Sequence, residues 1–207
     1  MSNYGSVTNV KTETGVTPEN LNGIETEAEL DDYITSKLEG ASDEIDRFCN
    51  RTFRLVQNVT ETRYGNNTRT IQLRNYPVVT IHSVEEGSTE LTEGEDFELK
   101  GTRNFEGEND GILKRDRRFW KRRVEYTFEY DWGYPDNEWP KLLDGVAEAL
   151  VKAGIQTSIQ NTTKAEYGGA DSISMDGFSL SIEQAVRESE IDEGDLSRLK
   201  NLRRPGF

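Results

Sequence analysis

One cysteine and one histidine, Cys49 and His82, stand among 207 residues. A single cysteine excludes an intramolecular disulfide. With one residue of each kind, neither a Cys/His metal site nor a histidine-based triad can be assembled from the usual parts. Cys49 falls on an apolar helical stripe and is expected as a buried structural thiol. His82, inside "VVTIHSV", is expected as a plain strand residue. No run of about 18 apolar residues occurs, so neither a membrane-spanning helix nor a membrane partner is expected. The opening "MSNYGSVTNVKTETG" is polar and lacks an apolar core, so no secretory signal is expected. Hydrophobic residues make up 33% of the chain and its mean hydropathy is −0.80, which fits a modest core with exposed arms.

Catalytic signatures are missing too. There is no G-x-x-x-x-G-K-[ST], G-x-S-x-G or H-E-x-x-H motif. Gly168-Gly169 is too short for a phosphate loop and reads as a connector. Acids are so abundant that no pair of them specifies acid–base chemistry. No enzyme activity, cofactor or metal is expected. The sequons "NVT", "NNT" and "NTT" at 58–60, 66–68 and 161–163 read as chance.

What the chain has in excess is negative charge: 39 Asp+Glu against 25 Lys+Arg, a net −14. Such a surface does not wrap nucleic acid as a whole. Its acidity raises the expectation of a halophilic protein, adapted to high salt, which dependence of folding on salt would test. One stretch reverses the sign. Seven of the bases and one of the acids fall in Lys114–Arg123, so that segment carries +6 and the remainder −20.

Residues 1–25 read as a polar, flexible arm. Thr26 and Glu29 have capping-box spacing. Leu30, Tyr33, Ile34, Leu38, Ala41, Ile45, Phe48 and Cys49 then predict a helix over 26–50, with Gly40 leaving open one helix or two. Its other face holds Asp31, Asp32, Glu39, Asp43, Glu44 and Asp46. A β region is predicted over 54–134, strongest where Val124, Tyr126, Phe128, Tyr130 and Trp132 alternate with polar residues. A helix over 138–156 follows, capped by Asp136 or Asn137, with Pro140 near its first turn. "DSISMDGFSLSIE" reads as an edge strand or hairpin. Residues 183–207 have scattered apolar positions and read as a tail that folds only on a partner.

The order of these pieces resembles the head–tail adaptor (connector) proteins of tailed bacteriophages and archaeal tailed viruses. The matching residues are Cys49, Arg51 and Phe53 in "IDRFCNRTF"; Pro77, Val78, Ile81, Ser83 and Val84 in "YPVVTIHSV"; Tyr130, Gly133 and Tyr134 in "EYDWGYP"; and Pro140 and Ala147 in the helix after it. The match covers about 26–155, and less clearly 164–182. The resemblance implies a mainly helical α+β fold, a helical bundle packed on a small antiparallel β element with extended N- and C-terminal arms. The core is then 26–182, between an arm over 1–25 and a docking arm over 183–207. It also implies a structural virion protein of the neck, present in the host cytoplasm during assembly. Family members form a homo-oligomeric ring, usually of twelve copies, under the portal protein. The ring extends the channel through which double-stranded DNA passes without specific binding, and it receives the stopper or tail-completion protein. By that analogy Leu196, Leu199, Leu202, Arg203, Arg204 and Phe207 belong to the portal-docking arm.

Three readings of the basic segment stay open. Its cations with Phe119 and Trp120 suit phosphates and base stacking, which would make the chain a nucleic-acid-binding or regulatory module. Alternatively, Lys114, Arg115, Arg117, Arg118, Lys121, Arg122 and Arg123, with Trp120 as anchor, contact the portal or a neighbouring subunit, meeting Asp31, Asp32, Asp43 and Glu44 of its helix. The third reading is a solvated hairpin tip.

Overall fold

The structure, a computed structural model, describes residues 3–100, 109–115, 119–135, 138–166, 182 and 191–203, without the side chains of 160–166. The chain divides into two compact units, one of residues 1–52 with 140–207 and one of residues 53–139.

In the helical unit, α2 (Glu27–Cys49) starts at the capping box read from sequence: the Thr26 hydroxyl accepts the Glu29 amide at 3.2 Å and the Glu29 carboxylate accepts the Thr26 amide at 3.0 Å. Leu30, Ile34, Leu38, Ala41, Ile45 and Cys49 are its buried stripe. Gly40 lies on the exposed side, so the helix runs through it unbroken. A helical glycine costs about 1 kcal/mol, which the packed stripe offsets. Asn50 ends the helix in the left-handed region at φ 53°.

α3 (Lys141–Glu166) follows Pro140 and packs on α2, and its Leu143, Val146, Ala147, Leu150 and Val151 are buried. It runs ten residues past the predicted end at 156. Those ten are mostly polar but contain neither Gly nor Pro, so nothing in them stops a helix. The capping candidates Asp136 and Asn137 lie outside the described residues, as do 167–181, where the edge strand or hairpin was expected.

The N-terminal stretch is not a free arm in this fold. Tyr4 is fully buried, with its amide donating to the Ser42 hydroxyl at 2.9 Å and its own hydroxyl donating to Asp46 at 2.6 Å. The Gly5 amide donates to Asp144 at 2.8 Å and the Ser6 amide to Glu148 at 2.9 Å. α1 (Val7–Thr14) then packs on α2 and α3, and Val10, Val16 and Leu21 are buried. The apolar anchors follow neither a period of 2 nor one of 3.6, so pattern reading passes over them. The tail differs in the same direction: α4 (Glu193–Asn201), capped by Asp192, packs on α3.

The other unit is a β fold of its own. β1 (Val56–Tyr64), β7 (Glu125–Trp132), β3 (Val78–Glu86) and β4 (Thr89–Glu90) form one antiparallel sheet in that order. β2 (Thr70–Gln72), β6 (Ile112–Lys114) and β5 (Glu98–Lys100) form a second. One cluster of Ile71, Leu73, Val84, Phe97, Leu113, Trp120, Tyr126, Phe128 and Tyr130 with their neighbours is its core. The alternation read in β7 is real, since Tyr126, Phe128, Tyr130 and Trp132 are all buried. The expectation of α+β therefore holds. The expected small β element is larger than that, with seven strands among the described residues and a core of its own, because the short strands β2, β5 and β6 add a second sheet.

Candidate functional site

The basic segment and its surroundings are the most unusual surface of the β unit, and the structure sorts its residues into two groups. Arg115 and residues 119–124 line the turn 65–70: the Arg115 amide donates to the Arg69 carbonyl at 2.8 Å, Trp120 to Thr68 at 2.9 Å, Asn67 to Trp120 at 2.8 Å and Gly65 to Val124 at 3.0 Å. The approach needs a glycine at 65, since a Cβ there would lie 2.1 Å from the Lys121 carbonyl oxygen.

Arg115 and Trp120 point inward, and both are fully buried. The Arg115 guanidinium lies 5.2 Å from the Trp120 ring centroid, donates to Glu86 at 3.0 Å and stands 4.0 Å from Asp96. Trp120 meets Tyr126 edge-on at 4.9 Å and Phe128 at 5.8 Å. Lys121 donates to the other Glu86 oxygen. Burial alone would push the Glu86 carboxyl up, but the hydrogen bonds from Lys121 and Arg115 outweigh it and hold the group below its ordinary value. Two residues expected at a surface contact are thus interior residues of this chain, and a third is neutralised by its own unit. Lys114 ends β6, half-buried, opposite Thr70 and Glu98. Arg117 and Arg118 lie outside the described residues.

Arg122 and Arg123 point outward, exposed and without an ion-pair partner among the described residues. Arg123 holds the left-handed conformation at φ 64°, uncommon for a residue with a Cβ. Beside them Tyr64 is 66% exposed and Phe119 49% exposed, the Phe119 ring lying 5.8 Å from the Arg69 guanidinium. Cations and exposed rings thus share one tip.

The acids expected to face this segment are partly engaged already. Asp31 pairs with Lys11 at 2.8 Å and Glu44 with Arg47, while Asp32 and Asp43 are exposed. Of the expected docking arm, Leu199 is fully buried and its carbonyl accepts the Cys49 thiol at 3.9 Å; Leu196 and Leu202 are half-buried and Arg203 is exposed. Arg204 and Phe207 lie outside the described residues. Burial pushes the Cys49 thiol up to about 12.

Three features escaped the sequence reading. Residues 85–98, "EEGSTELTEGEDFE", hold seven acids and no base, a signal present in the letters. Glu86 and Asp96 belong to the pairing with Arg115; Glu85, Glu90, Glu93, Glu95 and Glu98 are exposed without an ion-pair partner among the described residues. Second, His82 is not a plain strand residue: its Nε2 lies 2.8 Å from Asp131, whose carboxylate also accepts the Asn58 amide at 2.7 Å. The Asn58 hydrogen bond first, then His82, holds the Asp131 carboxyl below its usual range. Third, Glu61 is buried and accepts from Tyr130 at 2.6 Å, Arg63 at 2.5 Å and the Arg74 amide at 3.0 Å. Burial and this carboxylate push the Tyr130 phenol up. The described residues contain no group of three or more His, Cys, Asp or Glu able to hold a metal, and no helix long and apolar enough to cross a membrane.

A family model described as head completion protein matches residues 19–184. Comparison with curated proteins finds no match. Among solved structures the chain is similar to a chain in the neck of an empty GTA particle computed with C6 symmetry, at 10% identity and a TM-score of 0.45, covering 99% of this chain and 91% of that one.

Proposed function

The chain belongs to the head completion protein family, and on that premise we propose that it is a structural component of a tailed virus particle, built into the neck between head and tail. The observation that carries this reading is the family match across most of the chain. In this reading copies form a closed ring, of about twelve as in the adaptors it resembles, beneath the portal protein. The ring continues the channel for double-stranded DNA and offers its far side to a stopper or tail-completion protein. Its role is structural rather than catalytic.

The two-unit build suits that role. A helical unit fastened by its own N-terminal stretch gives a rigid body. An unlike surface on the β unit gives it something to present to neighbours. Contact with the portal would then use the C-terminal stretch, where half-buried Leu196 on α4 is followed by half-buried Leu202 and exposed Arg203, with Arg204 and Phe207 next in the sequence. Leu199 supports that helix from inside. Deleting the gene from the viral genome tests the reading. The expected result is packaged heads that lose DNA and carry no tails; normal tailed particles would overturn it.

A further inference from the structure

We propose that the basic tip of the β unit docks on the acidic ribbon, residues 85–98, of a second copy of this chain. The inference rests on the ring reading above and gives that ring a specific contact.

The tip adjoins one edge of the four-stranded sheet, and the ribbon starts at the other edge and runs on into β5 of the second sheet. The strand order of the four-stranded sheet is β1-β7-β3-β4. The tip adjoins the β1 edge, where Tyr64 ends the strand and Gly65 bridges Arg122. The ribbon opens at the other edge, where Glu85 and Glu86 of β3 pair with Glu90 and Thr89 of β4. Within one copy Lys121 and Arg115 already bond Glu86 of the ribbon, while Arg122 and Arg123 at the tip find no ion-pair partner among the described residues. The charges left over can pair between copies, each copy giving its tip to one neighbour and its ribbon to the other. That is a heterologous contact, the kind that closes into a ring when the rotation allows.

The ion pairs inside the unit set what remains outside. Glu86 and Asp96 are occupied by Arg115 and Lys121. Arg122 and Arg123 at the tip, and Glu85, Glu90, Glu93, Glu95 and Glu98 along the ribbon, have no ion-pair partner among the described residues. Arg presents a fork that matches carboxylates, and Tyr64 and Phe119 supply the exposed rings that anchor protein contacts. Arg123 also has a left-handed backbone, uncommon for a residue with a Cβ. A nucleic-acid phosphate chain fits less well, because the rest of the protein carries −20 and repels it at range. The acids of α2 fit less well too, since Asp31 and Glu44 already have cations in their own chain.

Sedimentation of the full chain at low salt tests the pairing, with thermal melts to verify folding. Two charge-reversed chains are needed: Arg122→Glu with Arg123→Asp, Asp being a residue that tolerates the left-handed backbone, and Glu90→Lys with Glu93→Lys and Glu95→Lys. Each alone is expected to self-associate about tenfold or more less tightly than the wild type. An equimolar mixture is expected to assemble again, because each variant's tip then faces the other's ribbon. The neutral pair Arg122→Gln with Arg123→Asn guards against misfolding and is expected to weaken assembly while melting like the wild type. Wild-type association by either reversed chain, a mixture that does not recover, or a wild type that stays monomeric overturns the pairing. So does loss of duplex DNA retention with assembly intact, which would assign the tip to phosphates. A ring found in the virion neck with the tip away from the ribbon sinks this contact and leaves the neck reading standing; a particle without the chain sinks the neck reading itself.

Discussion

Arg115 and Glu86 form an ion pair at 3.0 Å in which the guanidinium has no exposed surface at all. The relationship turns part of a segment that looks like a surface binding site into the inner wall of the β unit. A buried cation tolerates this position because Glu86 neutralises it and the Trp120 ring lies beside it.

Glu86→Gln leaves that cation buried with only the longer contact to Asp96, at 4.0 Å, to offset it. The expected cost is about 3–5 kcal/mol in urea unfolding. A change under about 1 kcal/mol would mean the pair behaves as an ordinary surface ion pair.

Tyr4 fastens the N-terminal stretch through a buried ring and a hydrogen bond to Asp46. Tyr4→Ala is expected to lose about 3–5 kcal/mol, as for other large aromatic truncations. Tyr4→Phe keeps the ring and loses about 1.5 kcal/mol, the value of a hydrogen bond to a charged acceptor. Equal, negligible effects of both would return residues 3–16 to the status of a free arm.

How much of this was legible follows from periodicity. α2 announces itself by a capping box and a 3.6-residue stripe, and β7 by strict alternation, so both are read correctly. The family is legible in the ordered fragments around Cys49, Pro77, Gly133 and Pro140, and the family match agrees with that resemblance. Tyr4, Val10 and Val16 are buried from a polar stretch with no period, and Trp120 is buried from an irregular segment, so neither can be read from pattern. Charge composition misleads at Arg115 because it does not say which way a side chain points. The ribbon at 85–98 was readable and only needed counting by sign.

The Asp131 carboxyl is held below its usual value by the Asn58 amide and then by His82. A lowered carboxyl contributes stability that is fully present above its unfolded value of about 3.9 and is lost as pH falls through the folded value. Asp131→Asn removes that contribution. Thermal melts across the acid range are expected to fall less steeply for the variant than for the wild type. Parallel curves would contradict the assignment.

Cys49 is buried, and its thiol is pushed up to about 12. Almost no thiolate exists at neutral pH, so a soluble alkylating reagent is expected to leave the native chain unmodified and to label it fully in urea. Truncation before residue 191 removes α4, including the Leu199 carbonyl that accepts the thiol, and is expected to speed labelling. Rapid labelling of the intact native chain would mean that α4 does not stay docked.

Image reconstruction of the neck of assembled particles tests the central claim most directly. The account predicts a closed ring at the head–tail junction into which both units of this chain fit. A neck in which every density belongs to other proteins would contradict it.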